Sequence, residues 1–382
     1  MKYDLVVIGG GVLGTFHAYH ALKKGLRVAL LEKDVVPQSA TVRNFGQVVP
    51  SGMNTKWQAY GRKSLQIYKK IHSKYDITVR QEGSIYLASN EEESQLLEEL
   101  HNINRDNAYT SILFTKKECL KRYPGLNENY VRSGLFFPDE IIIEPRTMIV
   151  KLHKYLINKG MDIFYNTKVL ECNTLVGSVG IQIADGRLLM SSKVIICNGN
   201  DFKTLYPKLF ASSDLEISKL QMMKTKPQGN YKIAGSILTG LSIRRYEAFA
   251  ECPSYINIKS KESIDSPEKK WGVHILFKQA KDGGVILGDS HEYADVENSE
   301  QLGFDLNMDI DNFIIEKSKE IFNLPTYEIE HRWYGMYSQS KNSDIFEATI
   351  DRNIHIITGI GGKGMTGSPG FAKHNINQIF NF

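Results

Sequence analysis

Val6-Val7-Ile8-Gly9-Gly10-Gly11-Val12-Leu13-Gly14 joins an apolar run to a Gly-x-Gly-x-x-Gly turn, and a helical pattern from Thr15 to Lys24 follows, stopped by Gly25. This is the order in which a buried strand delivers a dinucleotide pyrophosphate to a helix N-terminus. Gly9 permits the tight turn, Gly11 lets the backbone approach the phosphates, and Gly14 lets helix and strand pack closely. The next apolar run, Leu26 to Leu31, ends in Glu32. An acid about 20 residues beyond the glycines accepts hydrogen bonds from ribose hydroxyls and repels a 2′-phosphate. Strand, helix and acid together turn a weak glycine motif into a specific one.

The rest of the composition narrows the class. A chain of 382 residues is long enough for a large core and more than one domain. Its formal net charge of +4 is small, and Lys and Glu are interspersed, which leaves no nucleic-acid footprint. No apolar run reaches the roughly 18 residues of a membrane span. Met1-Lys2-Tyr3-Asp4 leads into a short strand with no secretory-type apolar core, so a cytoplasmic location is expected. Cys119, Cys172, Cys197 and Cys252 are scattered without Cys-x-x-Cys, which points to reduced, partly buried thiols and predicts neither a metal site nor a redox dithiol.

Past Glu32 the polar stretch Gln38 to Gln47 reads as a loop, either a surface excursion or a second cofactor contact to which Arg43 and Asn44 are suited. Trp57 to Tyr75 has helical spacing, Val79 to Ala88 reads as a strand, and Glu91 to Asn104 as a charged surface helix. Gly134 to Ile143 reads as strand and loop, and Pro145 opens a further helix that runs to about Gly160. Short strands follow at Asp162–Tyr165, Thr167–Cys172 and Gly180–Ile183. Val194 to Cys197 is a buried strand whose end, Asn198-Gly199-Asn200, suits the cofactor edge of a doubly wound sheet.

From Leu215 to Tyr337 the texture changes to alternating strand patterns, at Tyr255–Ile258, Gly272–Gln279, Val285–Asp289 and Ile329–Tyr337. Asp282-Gly283-Gly284 is a hairpin turn, and one helical pattern spans roughly Asp309 to Ile321. The fold class is therefore α/β with α+β: a Rossmann-type dinucleotide domain and a second, mostly antiparallel sheet. Strand Ile354 to Ile357 then leads to a second glycine series, Gly359, Gly361 and Gly364. Too few residues follow for another βαβ unit of roughly 30 residues, so these glycines suit backbone contact with a flat ligand beside a helix N-terminus. Period-two alternation puts His331, Trp333, Gly335 and Tyr337 on one strand face, with Arg332 opposite as an ion-pair residue. His274 and His291 lie on or beside neighbouring strands.

With those pieces placed, the sequence resembles the D-amino-acid oxidase superfamily of flavoproteins, the group of glycine oxidase and sarcosine oxidase. The resemblance rests on the first turn with Glu32, Gly83 to Leu87, Pro138-Asp139 with Glu144-Pro145-Arg146, Val194 to Gly199, and Gly359 to Thr366. Val42 to Met53, Gly288 to Tyr293 and Gly361 to Gly370 are similar to a phosphonatase-associated subgroup, which implies an aminophosphonate substrate. The resemblance implies FAD, with Gly9, Gly11, Val12, Leu13 and Gly14 at the pyrophosphate, Glu32 and Lys33 at the adenosine ribose, and Val169 at adenine. Ser39, Ala40, Arg43, Asn44, Phe45, Gly46 and Gln47, with Asn198 and Gly199, are implied along the pyrophosphate, ribityl chain and ring. Gly335 and the run Gly361, Gly362, Lys363, Gly364, Met365 and Thr366 are implied at the isoalloxazine, with Lys363 supplying positive potential.

Two departures matter. Tyr337 stands where glycine oxidase has a carboxylate-clamping arginine, and Gly335 stands where sarcosine oxidase attaches its flavin to cysteine, so the flavin is expected to be non-covalent. The domains implied are a discontinuous FAD-binding domain, 1–80, 145–214 and 338–382, and a substrate domain, 81–144 and 215–337. The expected activity is oxidation of a small amine beside Tyr337, His274 and His291, with oxygen as acceptor. A flavin dehydrogenase with a quinone or carrier-protein acceptor, an NAD(P)H-dependent hydroxylase and a non-catalytic flavin sensor are the alternatives. The oligomeric state is open.

Overall fold

The computed structural model describes residues 2–382 and contains two large sheets and one two-stranded ribbon. In the first sheet Lys2–Ile8 is central, flanked in parallel by Leu188–Ile196 and Val28–Leu31. Asp162–Phe164 extends it in parallel on one side and Ile354–Thr358 on the other, beyond which Phe346–Ile350 closes the edge antiparallel. The central strands are apolar nearly throughout because helices cover the sheet. Val12–Lys23 and Gly364–Phe380 pack together there, and Thr55–His72 packs on the latter. Small residues set that last contact: a Cβ on Gly370 would lie 2.1 Å from the Tyr60 carbonyl, and one on Gly367 would meet the Trp57 ring at 2.7 Å.

The second sheet has nine strands, and its longest pairing is between Leu215–Thr225 and Ile329–Ser340, antiparallel from Leu215↔Ser340 to Thr225↔Ile329. All its neighbours are antiparallel except Ser236–Leu238 beside Ser84–Ala88. The Asp282-Gly283-Gly284 turn joins Leu276–Gln279 to Val285–Gly288 as its residues require, with the Asp282 carboxylate accepting from the Gly284 amide at 3.0 Å. The helix Met308–Ile321 holds Arg332 through Asp311, 2.8 Å away. One reading is overturned: Tyr255–Ser260 is a short surface helix, with Ile258 buried and Ile256 turned to solvent. Leu215–Thr225 shows no alternation in the sequence because it is buried on both faces, the condition under which period two disappears.

Glu140 lies fully buried where the loop at Ser51 meets the second sheet. Its carboxylate accepts from the Ser51 amide and the Tyr109 hydroxyl, both at 2.8 Å, and from Ser84 Oγ. Burial outweighs these donors and lifts the carboxyl to about 7. A pKa raised on folding means that the native state binds the proton more tightly, so stability is greatest below the unfolded value near 4.5 and is lost as pH rises toward 7. Glu140→Gln is expected to flatten denaturant midpoints over this interval, removing a pH-dependent contribution on the order of 3 kcal/mol. An unchanged slope would exclude Glu140 as its source.

Candidate functional site: a dinucleotide cradle opening on a polar cavity

The cradle starts where the first strand turns into its helix. Gly9 has φ +104°, and a Cβ there would sit 2.1 Å from the Cys197 carbonyl; a Cβ on Gly14 would sit equally close to the Gly9 carbonyl. These two glycines are demanded by the approach of strand, turn and helix. Gly11 instead faces the cavity, and its missing side chain would meet only Thr41 Oγ1, at 3.0 Å. Thr41 accepts from the Val12 amide at 2.9 Å, and buried His153 donates Nε2 to the Gly10 carbonyl at 3.0 Å while Tyr165 approaches its Nδ1 at 2.9 Å. Burial pushes His153 down to about 4, so it braces the turn as a neutral ring. His153 has no signal in the sequence, and Thr41 lies unmarked within the loop read as a surface excursion or a second cofactor contact.

Glu32, buried at the end of its strand, accepts from the amides of Gly10 (2.9 Å) and Asp34 (3.0 Å) while lining the same cavity. Burial holds its carboxyl above the ordinary range, opposed by those two amides. Lys33, Thr167, Lys168 and Val169 complete this end. Along the cleft lie Val12, Leu13, Ser39, Ala40, Asn198 and Gly199, and Asn198 Oδ1 is buried without a hydrogen-bond partner among the described residues. An extended cleft with a buried carboxylate at one end, glycine backbone midway and an orphaned amide oxygen suits a dinucleotide.

At the far end Gly361, Gly362 and Met365 are shared with a second cavity of about 560 Å³. Phe45, Gly46, Gln47, Lys363 and Thr366 line that second cavity, and Gly364 lines the first. Its outer wall brings together Arg245, Tyr246, His274, Asp289, His291 and Tyr337. His274 Nε2 is 2.5 Å from Asp289 Oδ1, and His291 Nδ1 is 4.0 Å from the same oxygen. Burial opposes ionisation of Asp289, but the contact with His274 and the nearby Arg245 hold its carboxyl below the usual range. Burial pushes His291 down to about 3, leaving it neutral. Arg245 donates to the Gly272 carbonyl (3.3 Å) and the Tyr293 hydroxyl (2.7 Å) and has no carboxylate partner among the described residues.

Several expected roles change on this geometry. Arg43 lines neither cavity: its guanidinium donates to the carbonyls of Gln38 (2.7 Å) and Tyr334 (3.3 Å), because the loop turns it toward the second sheet. Asn44 reaches both cavities, yet its amide is spent on the loop itself, at Ala40, Thr41 and Gly46. Gly335 contacts neither cavity and makes room for the Tyr337 ring, which a Cβ would meet at 2.5 Å. Tyr337 donates its hydroxyl to the Arg43 carbonyl at 3.1 Å, and burial raises its pKa, so it is an anchored neutral phenol. Lys363 is paired with Glu247 (2.7 Å) and Asp344 (3.0 Å), which offsets the positive potential expected of it. His331 is exposed beside Glu330. Arg245, Tyr246 and Asp289 were missed; Asp289 stands in the quoted Gly288 to Tyr293 run, whereas Arg245 carries no local signal.

Such a cleft, ending in a polar reaction cavity, defines a dinucleotide-dependent oxidoreductase. The chain belongs to the DAO family of FAD-dependent oxidoreductases, whose model matches residues 4–376. It is 21% identical to a glycerol 3-phosphate dehydrogenase of Caloramator mitchellensis, over 99% of this chain and 74% of that one. It is also 21% identical to a glycine oxidase of Bacillus licheniformis, over 94% and 88% respectively. Among solved structures, glycine oxidase from Bacillus cereus ATCC 14579 superposes with a TM-score of 0.78 at 18% identity, covering 100% of this chain and 95% of that chain. L-proline dehydrogenase from P. horikoshii gives 0.80 at 18% identity, covering 100% and 94%. No cysteine lines the second cavity among the described residues, in keeping with non-covalent FAD. No helix among them is long and apolar enough to cross a membrane.

Glu32→Ala is expected to weaken FAD binding by about tenfold or more, the worth of one charge-assisted hydrogen bond. Fluorescence titration of the apoprotein measures it, and an unchanged affinity would remove Glu32 from the ribose site.

Proposed function

We propose that the protein oxidises the C–N bond of a small amine bearing an anionic group, an amino acid or an aminophosphonate such as 2-aminoethylphosphonate or its N-methyl form. The segments 1–80, 145–214 and 338–382 carry the cofactor in this reading, and 81–144 with 215–337 carry the substrate. The observation behind it is Arg245, a cation without a carboxylate partner among the described residues, on the wall of a cavity that adjoins the ring cradle. Guanidinium N–H groups suit carboxylate and phosphonate oxygens equally. Tyr246 adds a neutral hydroxyl whose pKa burial raises, and Gln47 adds a buried amide nitrogen with no partner. Tyr337 in place of a clamping arginine moves anion recognition to this wall, which favours a substrate longer than glycine.

Bound FAD would supply a two-electron hydride acceptor at N5. The chain's part is to hold the amine over the ring, exclude water and keep the nitrogen unprotonated. The imine released adds water to give a carbonyl compound and an amine or ammonia, and oxygen takes the two electrons to form peroxide. Anaerobic mixing with 2-aminoethylphosphonate, its N-methyl derivative, glycine and sarcosine is expected to bleach the flavin with at least one phosphonate faster than with glycine. Failure of every amine overturns the proposal, and oxygen uptake compared with dye reduction identifies the acceptor. Arg245→Gln is expected to raise KM about tenfold or more with a smaller change in kcat, the mark of lost ground-state binding.

A further inference from the structure

His274, Asp289 and His291 come together although no spacing in the sequence resembles a metal motif. One ligand atom from each lies within 4.8 Å of the other two. Tetrahedral coordination at about 2.0–2.2 Å per bond separates ligand atoms by roughly 3.4 Å. His274 Nε2 is 2.5 Å from Asp289 Oδ1, so that contact opens by about 1 Å to seat an ion between them. The outer contacts have the form that metal-binding histidines use. His291 Nδ1 donates to the Gly272 carbonyl at 3.0 Å and His274 Nδ1 meets Ser242 Oγ at 3.2 Å, so each ring has Nε2 to offer an ion.

The placement is fixed by the sheet. The His274 amide donates to the Asp289 carbonyl at 3.0 Å and the His291 amide to the Trp271 carbonyl at 2.9 Å, which carries the hairpin ladder past its last paired residues. All three side chains line the larger cavity, so an ion they held would keep positions open to it. The Asp289 carboxylate opposes the pull of Arg245 on an anionic substrate at this wall, and a cation held by it removes that opposition.

We propose that His274, Asp289 and His291 bind one divalent first-row metal ion, whose open positions take the oxyanion of the amine substrate. The second half rests on the substrate class proposed above; the first does not. Two imidazoles and one carboxylate suit Zn²⁺, Fe²⁺ or Mn²⁺, and the ion acts by coordination alone, with no change of oxidation state.

The test uses the flavin-loaded protein. Metal is measured by mass spectrometry as purified and after chelator dialysis that leaves the flavin spectrum intact; Zn²⁺, Mn²⁺ and Fe²⁺ are then titrated back calorimetrically. About one ion per flavin is expected, with binding weakened at least about tenfold in Asp289→Asn and in His291→Gln variants that retain flavin. Chelation is expected to raise the aminophosphonate KM about tenfold or more, reversed by adding the metal. No binding by any of the three ions, or binding indifferent to both substitutions, overturns the site and leaves a histidine–aspartate pair only. Stoichiometric binding in a protein whose flavin no amine bleaches keeps the ion site and removes the substrate reading.

Discussion

The close approach of backbone at the first turn controls much of the molecule. Gly9 stands against the Cys197 carbonyl and Gly14 against the Gly9 carbonyl, with no room for a Cβ at either contact. That proximity draws the end of Leu188–Ile196 beside the turn and sets Asn198 and Gly199 along the cleft. Substituting either glycine would force apart the strand pair and the helix that aim the cleft. The chemistry at the far end therefore depends on packing at residue 9, through a rigid parallel sheet.

The two sheets differ in what they contribute. The parallel one lines its cleft with backbone and one carboxylate, the make-up that a site for a common nucleotide requires. The antiparallel one presents ionisable side chains, and the loops at its strand ends aim them at the shared cavity. The long pairing of Leu215–Thr225 with Ile329–Ser340 positions Tyr337, which touches both cavities. The recognition wall can thus change without disturbing the nucleotide cleft, which fits relatives whose names cover both amines and glycerol phosphate.

Legibility in the sequence followed the reach of the interactions. The Gly9–Gly14 turn, Glu32 and the Gly361–Met365 run stand out in the sequence because each depends on residues close along the chain, and they line one cleft; Val169, suggested by the family resemblance alone, lines it too. Arg43, Gly335 and Tyr337 were placed on the right elements, but their roles depend on one another across nearly 300 positions: Trp333 and Tyr337 both donate to the Arg43 carbonyl. Asp289 and Arg245 were missed because a single acid after a strand, or one arginine in an Arg-Arg-Tyr run, has no periodicity to mark it. His153 and Thr41 belong to the same group, since they meet the turn only through tertiary packing.

The paired donation to the Arg43 carbonyl has a mechanical consequence. The loop 38–47 lines the cleft and is fastened to the second sheet by the Trp333 indole and the Tyr337 hydroxyl, while Asn44 braces it from within. Because Asn44 and Tyr337 each line both cavities, the same latch shapes the nucleotide cleft and the polar chamber, and a change at either residue is felt in both.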